Sequence, residues 1–248
     1  MCVIIVIMNS KTDMNPRDRI LQAVARLLTE GGREAVSTRA VSSAAGVQTP
    51  TIYRQFGDMQ GLLDAVASHG YVTYLASHRE RKTDQDPVED LRRGWNLNVD
   101  FGLANPALYT LMYGNPRPGA SHPAAAELQD VLLGLVRRVA EAGRLRVGVE
   151  RAADMLYAAG AGVVFVLIAQ GGASRDRTLS VATREAVLAA ITTDPHTASA
   201  HARPSPRSDA TRHAVALKAS LSQDARPFTT AERALFDEWL TRFIDTEL

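Results

Sequence analysis

Cysteine is almost missing from this chain. Cys2 stands alone among 248 residues, so no internal disulfide can form and a reducing cytosol is the expected setting. Lysine is scarce as well: Lys11, Lys82 and Lys218 are the whole supply, and arginine provides the other cations. The formal net charge is +1, which excludes a polycation drawn to nucleic acid by its global field. Anion binding would have to come from local placement of Arg17, Arg39 and Arg54. Long apolar runs are also wanting. The opening Met-Cys-Val-Ile-Ile-Val-Ile-Met is too short for a membrane span and is followed by no cleavage-site pattern. The run Ala158–Ala169 belongs to a stretch of about fifteen apolar residues against roughly twenty for a span, so no membrane segment is expected. Nor is there a Gly-x-Ser-x-Gly elbow, a phosphate-binding Gly-Lys-Ser/Thr loop or a zincin pair, and the chain does not read as an enzyme. His196 and His201 sit among Pro, Ser and Ala without a carboxylate or thiol arranged around them. They read as loop residues, and no metal or cofactor is expected.

What is present is helical periodicity. Hydrophobic residues make up 46% of the chain, enough for a substantial core, and no persistent alternation or hairpin signal appears. Asn15-Pro16 opens a helix through Ile20, Val24, Leu27 and Leu28 that Gly31-Gly32 closes. A helix from Asp58 runs through Leu62, Leu63, Val66, Tyr71 and Leu75 toward Arg81. Pro87 opens another, Asn105-Pro106 breaks it, and Ala107–Tyr113 is short. Further helices follow from Pro123 to Gly143, Glu150 to Ala169 and Leu179 to Ile191. The Glu150–Ala169 helix is expected to be buried on nearly all sides, its small residues suiting a subunit interface; Gly160-x-Gly162 lies in a helical run with no strand before it and fails as a dinucleotide fingerprint. Residues 193–212 read as a mobile loop. Ala214–Leu221 is a weak helix, and Thr229-x-x-Glu232 is a capping box that opens a terminal helix with a heavy apolar stripe. That stripe must dock on its own body or on a second subunit.

The most informative stretch is Ser37–Phe56. Ser37 can cap a first short helix whose apolar face is Ala40, Val41 and Ala44, and Gly46 supplies the left-handed residue that closes it. Val47 tucks the turn inward, Thr49 can cap the second helix, and Pro50 takes its first helical position. Ile52 and Phe56 point inward, four residues apart. Gln48, Thr49, Thr51, Tyr53 and Arg54 are left facing out: a polar, hydrogen-bonding face with one cation, suited to base edges and phosphates.

The run Ala45-Gly46-Val47-x-x-Pro50-Thr51-Ile52-Tyr53-x-x-Phe56-Gly57, continued by Leu62-Leu63, resembles the tetracycline-repressor (TetR) family of bacterial transcription regulators over about residues 15–75. The Asn-Pro-Ala-Leu-Tyr-x-Leu-Met-Tyr run also looks like the ligand domains of family members. The resemblance implies an all-α chain: a helix-turn-helix head (15–75) after a disordered arm (1–14, with Met8 and Met14 as alternative starts), joined by a long helix to a helical ligand-binding and dimerisation body (76–248). It implies a cytoplasmic homodimer that binds a near-palindromic DNA operator, by default represses, and is released by a small effector. On the head, Gln48, Thr49 and Thr51 are candidates for base edges, and Thr38, Tyr53 and Arg54 for phosphates. Arg39 and Pro50 complete the candidate set. Two positions depart from the usual pattern: Gln48 stands where many members carry Ser or Thr. Met59, expected to be exposed, stands where a Lys commonly touches a phosphate. For the effector the resemblance points to Trp95, Phe101, Tyr109, Met112, Tyr113, Tyr157 and Phe165, an apolar set with a few polar tips; taken singly, each reads first as core. The competing reading is a helical protein-binding adaptor, which would keep the body and have no need of the Thr49–Arg54 face.

Overall fold

Asn15 begins the first helix as its sequence suggests: its side chain accepts a hydrogen bond from the Asp18 N–H, and Pro16 follows where its missing N–H costs nothing. In the computed structural model, which describes residues 15–79, 84–114, 123–172, 175–193, 206–221 and 228–245, eleven α-helices follow one another. They are α1 (Pro16–Gly31), α2 (Thr38–Ala45), α3 (Thr49–Phe56), α4 (Met59–Arg79), α5 (Pro87–Ala104), α6 (Pro106–Tyr113), α7 (Pro123–Glu141), α8 (Val149–Gln170), α9 (Thr178–Ile191), α10 (Pro206–Leu221) and α11 (Thr230–Asp245). A 3-10 turn, Arg33–Ala35, sits between α1 and α2. No strand occurs among the described residues, and Leu145 and Thr192 form an isolated antiparallel bridge. The fold is all-α, with an N-terminal helix-turn-helix head. The expected arm 1–14, and His196 and His201, lie outside the described residues.

The chain divides into two compact units, with divisions between α4 and α5, inside α5 and inside α7. The first takes the described residues up to 79 and those between 100 and 128. Its core is built by Ile20, Ala23, Val24 and Leu28 of α1, Val41 and Ala45 of α2, Ile52 of α3, and Leu62, Leu63 and Val66 of α4. Burying an aliphatic side chain of this size contributes roughly 1.5–3 kcal/mol, so this cluster is what holds α3 in place. Leu108 and Leu111 of α6 pack against the same cluster, and the Tyr71 hydroxyl of α4 donates to the Met112 carbonyl at 2.6 Å. Residues 15–75 therefore fold together with a short helix some forty positions further on, a contact that helical periodicity gives no means of pairing.

The second unit holds the first four turns of α5, most of α7, and α8 to α11. Arg92 of α5 forks onto Glu185 of α9 (Nη2 to Oε2, 3.0 Å), and the buried Asp90 pairs with Arg138 of α7. The Trp95 indole N–H donates to Ser180 Oγ at 3.0 Å, with both residues buried. Gly160 of α8 lies against this indole: a Cβ there would meet Asn98 at 3.4 Å and Trp95 at 3.7 Å.

Two expectations are corrected. α10 starts at Pro206, inside the stretch read as a loop; proline at a helix start needs no donor, Asp209 favours the first turn, and Thr211, Ala214 and Val215 are buried. α8 is long and apolar enough to cross a membrane by composition, and its buried side (Ala152, Ala153, Leu156, Val163, Val164, Leu167) makes it a core helix of this unit. It is not buried all round, however. Tyr157, Ala158, Gly162, Val166 and Ala169 are exposed, because α5 and α9 cover only one side of it.

Candidate nucleic-acid interface

Each local feature of Ser37–Phe56 has a geometric consequence. Ser37 Oγ accepts from the Ala40 N–H at 3.2 Å, capping α2, and Thr38 takes the first helical position with its side chain half-buried. Gly46 adopts φ 64° and ψ 41°, a left-handed conformation that a side chain would strain. The Val47 N–H then turns back onto the Ser42 carbonyl at 3.1 Å, the reverse bond that ends a helix at a left-handed residue. The chain re-enters a helix within three residues. Ile52 is driven into the core, 1% exposed, and this single anchor turns the opposite side of α3 outward.

Thr49 does not cap α3 as expected. Gln48 takes the cap position without a side-chain bond, and Thr49 lies inside the helix, with Pro50 behind it. The Thr49 hydroxyl lies 3.1 Å from Ser42 Oγ, a bridge from α3 to α2. A threonine before proline favours the cap by composition, but a hydroxyl partner across the turn competes for the same oxygen, and here it wins. The far end of α3 is tied to α1. The Arg17 guanidinium sits 4.7 Å from the centre of the Phe56 ring and donates to the Gln55 carbonyl at 3.3 Å. A cation at the last carbonyls of a helix is favoured by the helix dipole, so Arg17 secures α3 from behind. Neither bond leaves a signature in local spacing, since each joins residues brought together by the fold.

The side chains expected on the DNA-reading face fall as follows. Arg39, Gln48, Thr49, Pro50, Tyr53 (47% exposed) and Arg54 are exposed, while Thr51 is half-buried beside Ile52. Met59 departs from expectation: it is half-buried and packs against the head core, because it opens α4 directly above that cluster. Asp58 provides the cap, its carboxylate accepting from the Gly61 N–H at 2.7 Å.

The residues read as effector contacts occupy varied surroundings. Phe101, Tyr109 and Met112 are buried in the first unit, where Phe101 stacks on Tyr74 at 4.6 Å and Tyr113 tilts against Tyr109 at 4.5 Å. In the second unit Trp95 is buried and bonded to Ser180, Phe165 is half-buried, and Tyr157 is 56% exposed, its hydroxyl pKa raised by the burial it has. A cleft of about 550 Å³ opens elsewhere in the second unit, between α7, the start of α8 and the α10–α11 pair, and none of the seven lines it.

Comparison with known proteins gives this geometry its name. The model of the bacterial regulatory proteins of the tetR family matches residues 20–66, the span from the second turn of α1 to the first turns of α4. Residues 20–66 are thus similar to the DNA-binding domain of the TetR family. Among curated relatives, the HTH-type transcriptional repressor KstR of Mycobacterium tuberculosis is 32% identical over 101 residues, 41% of this chain and 44% of that one. The tetracycline repressor protein class C of Escherichia coli is 31% identical over 70 residues, covering 28% of this chain and 32% of that one. The chain thus spans less than half the length of these curated relatives. A solved TetR-family transcriptional regulator from Agrobacterium tumefaciens superposes with a TM-score of 0.54 at 22% identity, over 72% of this chain and all of that one, and shares the fold. The chain therefore contains a TetR-type helix-turn-helix domain and shares its all-α fold with that regulator.

Proposed function

We propose that this regulator binds a near-palindromic operator as a homodimer, represses by doing so, and lets go when a small, largely apolar effector occupies its body. The observation that carries the reading is the outward side of α3: Gln48, Thr49, Tyr53 and Arg54 exposed together on a helix anchored by Ile52. In this reading Gln48, Thr49 and Thr51 meet base edges in the major groove. Thr38, at the α2 N-terminus where backbone N–H groups favour an anion, joins Tyr53, Arg54 and Arg39 on phosphates.

The homodimer is supported by the open sides of α8 and α9. Ala158, Gly162, Val166 and Ala169 are exposed on α8, and Val181, Ala182, Ala186 and Ala190 on α9. Gly162 is informative because a Cβ there would touch nothing within 4 Å. A glycine inside a helix costs about 0.5–1 kcal/mol against alanine, so a protomer on its own gains nothing by having one. A second helix packed closely against that backbone would. Two recognition helices related by a two-fold axis would then enter successive major grooves. An effector that binds the body better in the state unable to hold DNA shifts the population; a hundredfold release takes about 2.7 kcal/mol of preference. Such a protein acts on DNA in the bacterial cytoplasm and performs no catalysis.

Titration of labelled duplexes by fluorescence anisotropy tests the division of roles. Arg54→Ala should weaken specific and random DNA alike and lower the salt slope by about one. Thr49→Ala should change which sequence is preferred, at about 1–3 kcal/mol per affected base pair. Equal shifts of specific and random DNA by both variants would overturn the assignment.

A further inference from the structure

The last helix leaves its largest side chains in water. Along α11, Leu235, Trp239 and Phe243 recur every fourth residue and are 46%, 54% and 47% exposed. The other side of α11 is already anchored: Ile244 is buried, Phe236 stacks on Phe228 at 5.5 Å, and Lys218 of α10 donates to the Thr241 hydroxyl. Folding of the protomer therefore uses one side of α11 and gives no reason for the second. Exposed area of this kind, roughly 300 Å² in one row, marks an interaction surface.

We propose that the Leu235–Trp239–Phe243 row seats against a second copy of the chain, widening the two-fold interface proposed for α8 and α9; the inference rests on that reading. Two arguments select this occupant. The first is continuity. Gly148 to Arg151 and Asp154 at the start of α8 share a cleft with Phe236, Leu240 and Ile244 of α11, and Asp154 leads at helical spacing into Ala158, Gly162 and Val166. The exposed row thus borders the end of the side of α8 that meets the second copy. The second argument is area. A stable interface buries about 800 Å² per partner and draws most of its strength from a few aromatic anchors. The α8–α9 face is mostly Ala, Gly and Val, which permit close approach but offer little surface each. On that face Tyr157 is the one large exposed aromatic among the described residues, and Trp239 and Phe243 would add two more anchors. Beside them Arg242 already pairs with Glu238, so docking strands no lone charge at that rim.

The two tryptophans make the test direct, since Trp95 is buried and Trp239 exposed. Iodide quenching of the intact protein would be followed across a concentration range, with mass measured in parallel by analytical ultracentrifugation. The expected result is that Trp239 is quenchable in the monomer and shielded in the dimer. Trp239→Glu and, separately, Phe243→Glu should each raise the dimer dissociation constant at least ~30-fold with the helical circular dichroism retained, whereas Trp239→Phe should change it less than about tenfold. A dimer in which Trp239 remains quenchable, or whose dissociation constant both Glu variants leave unchanged, overturns the α11 contact and leaves the α8–α9 dimer standing. A chain that stays monomeric at every concentration overturns both.

Discussion

In the head, α1 to α4 gather Ile20, Val24, Val41, Ile52, Leu62 and Val66 into a core sealed by one another and by α6, and the large apolar residues left in water are Tyr53 and Val72. In the second unit Val166, Val181, Leu217, Leu235, Trp239 and Phe243 all remain exposed. The head closes its core with the help of α6 and turns a polar helix face outward; the second unit leaves large apolar side chains exposed. Under the proposed function, that difference separates a part that meets nucleic acid from a part that meets a second copy of the chain.

The largest effect that would sharpen this contrast is in the head. Ile52→Ala should cost about 2–5 kcal/mol, because the cavity lies where α3 is pinned, and the head should melt well before α8 and α9 lose their helices. Thermal denaturation watched by hydrogen exchange would show this; equal loss in both units would break the contrast. In the second unit, Gly162→Leu should leave protomer helicity unchanged, since space is open there, yet raise the dimer dissociation constant about a hundredfold, near 2.7 kcal/mol. A light-scattering mass that stays dimeric would place the interface elsewhere. The smallest effect concerns acid. Burial works against ionisation of Glu185, but hydrogen bonds and charge from Arg92 and Arg184 outweigh it and hold its pKa below the ordinary 4.5. The folded pKa is depressed, so its stabilisation is complete above the unfolded value and is lost as pH falls through the folded one. Urea melts between about pH 3 and 7 should show Glu185→Gln less stable than the wild type near neutrality, with a flatter acid limb below about pH 4.5. An unchanged acid limb would contradict the pairing.

Legibility followed the range of the interactions. Ser37, Gly46 and the Thr229–Glu232 capping box act within four residues of themselves, and each does structurally what its spacing implies. The Thr49 hydroxyl departs from its expected cap because its partner, Ser42, lies across a turn; Met59 is half-buried because the start of α4 packs on helices that local spacing does not identify. Arg17 on Phe56 and α6 on the head core are contacts of the same tertiary kind. For α8, composition alone cannot say which side remains open. An apolar residue facing a second subunit and one facing the protomer's own core obey the same periodicity.

The claim on which the rest depends is that a paired molecule offers the Thr49–Arg54 side of α3 to duplex DNA. Selection of bound duplexes from a random-sequence library by the intact protein measures this most directly. A near-palindromic site is expected, with half-sites about one helical turn apart, and it should be lost when Gly162→Leu replaces the wild type. Enrichment of no sequence, under conditions where the protein is a folded dimer, would contradict it and favour a helical protein-binding adaptor.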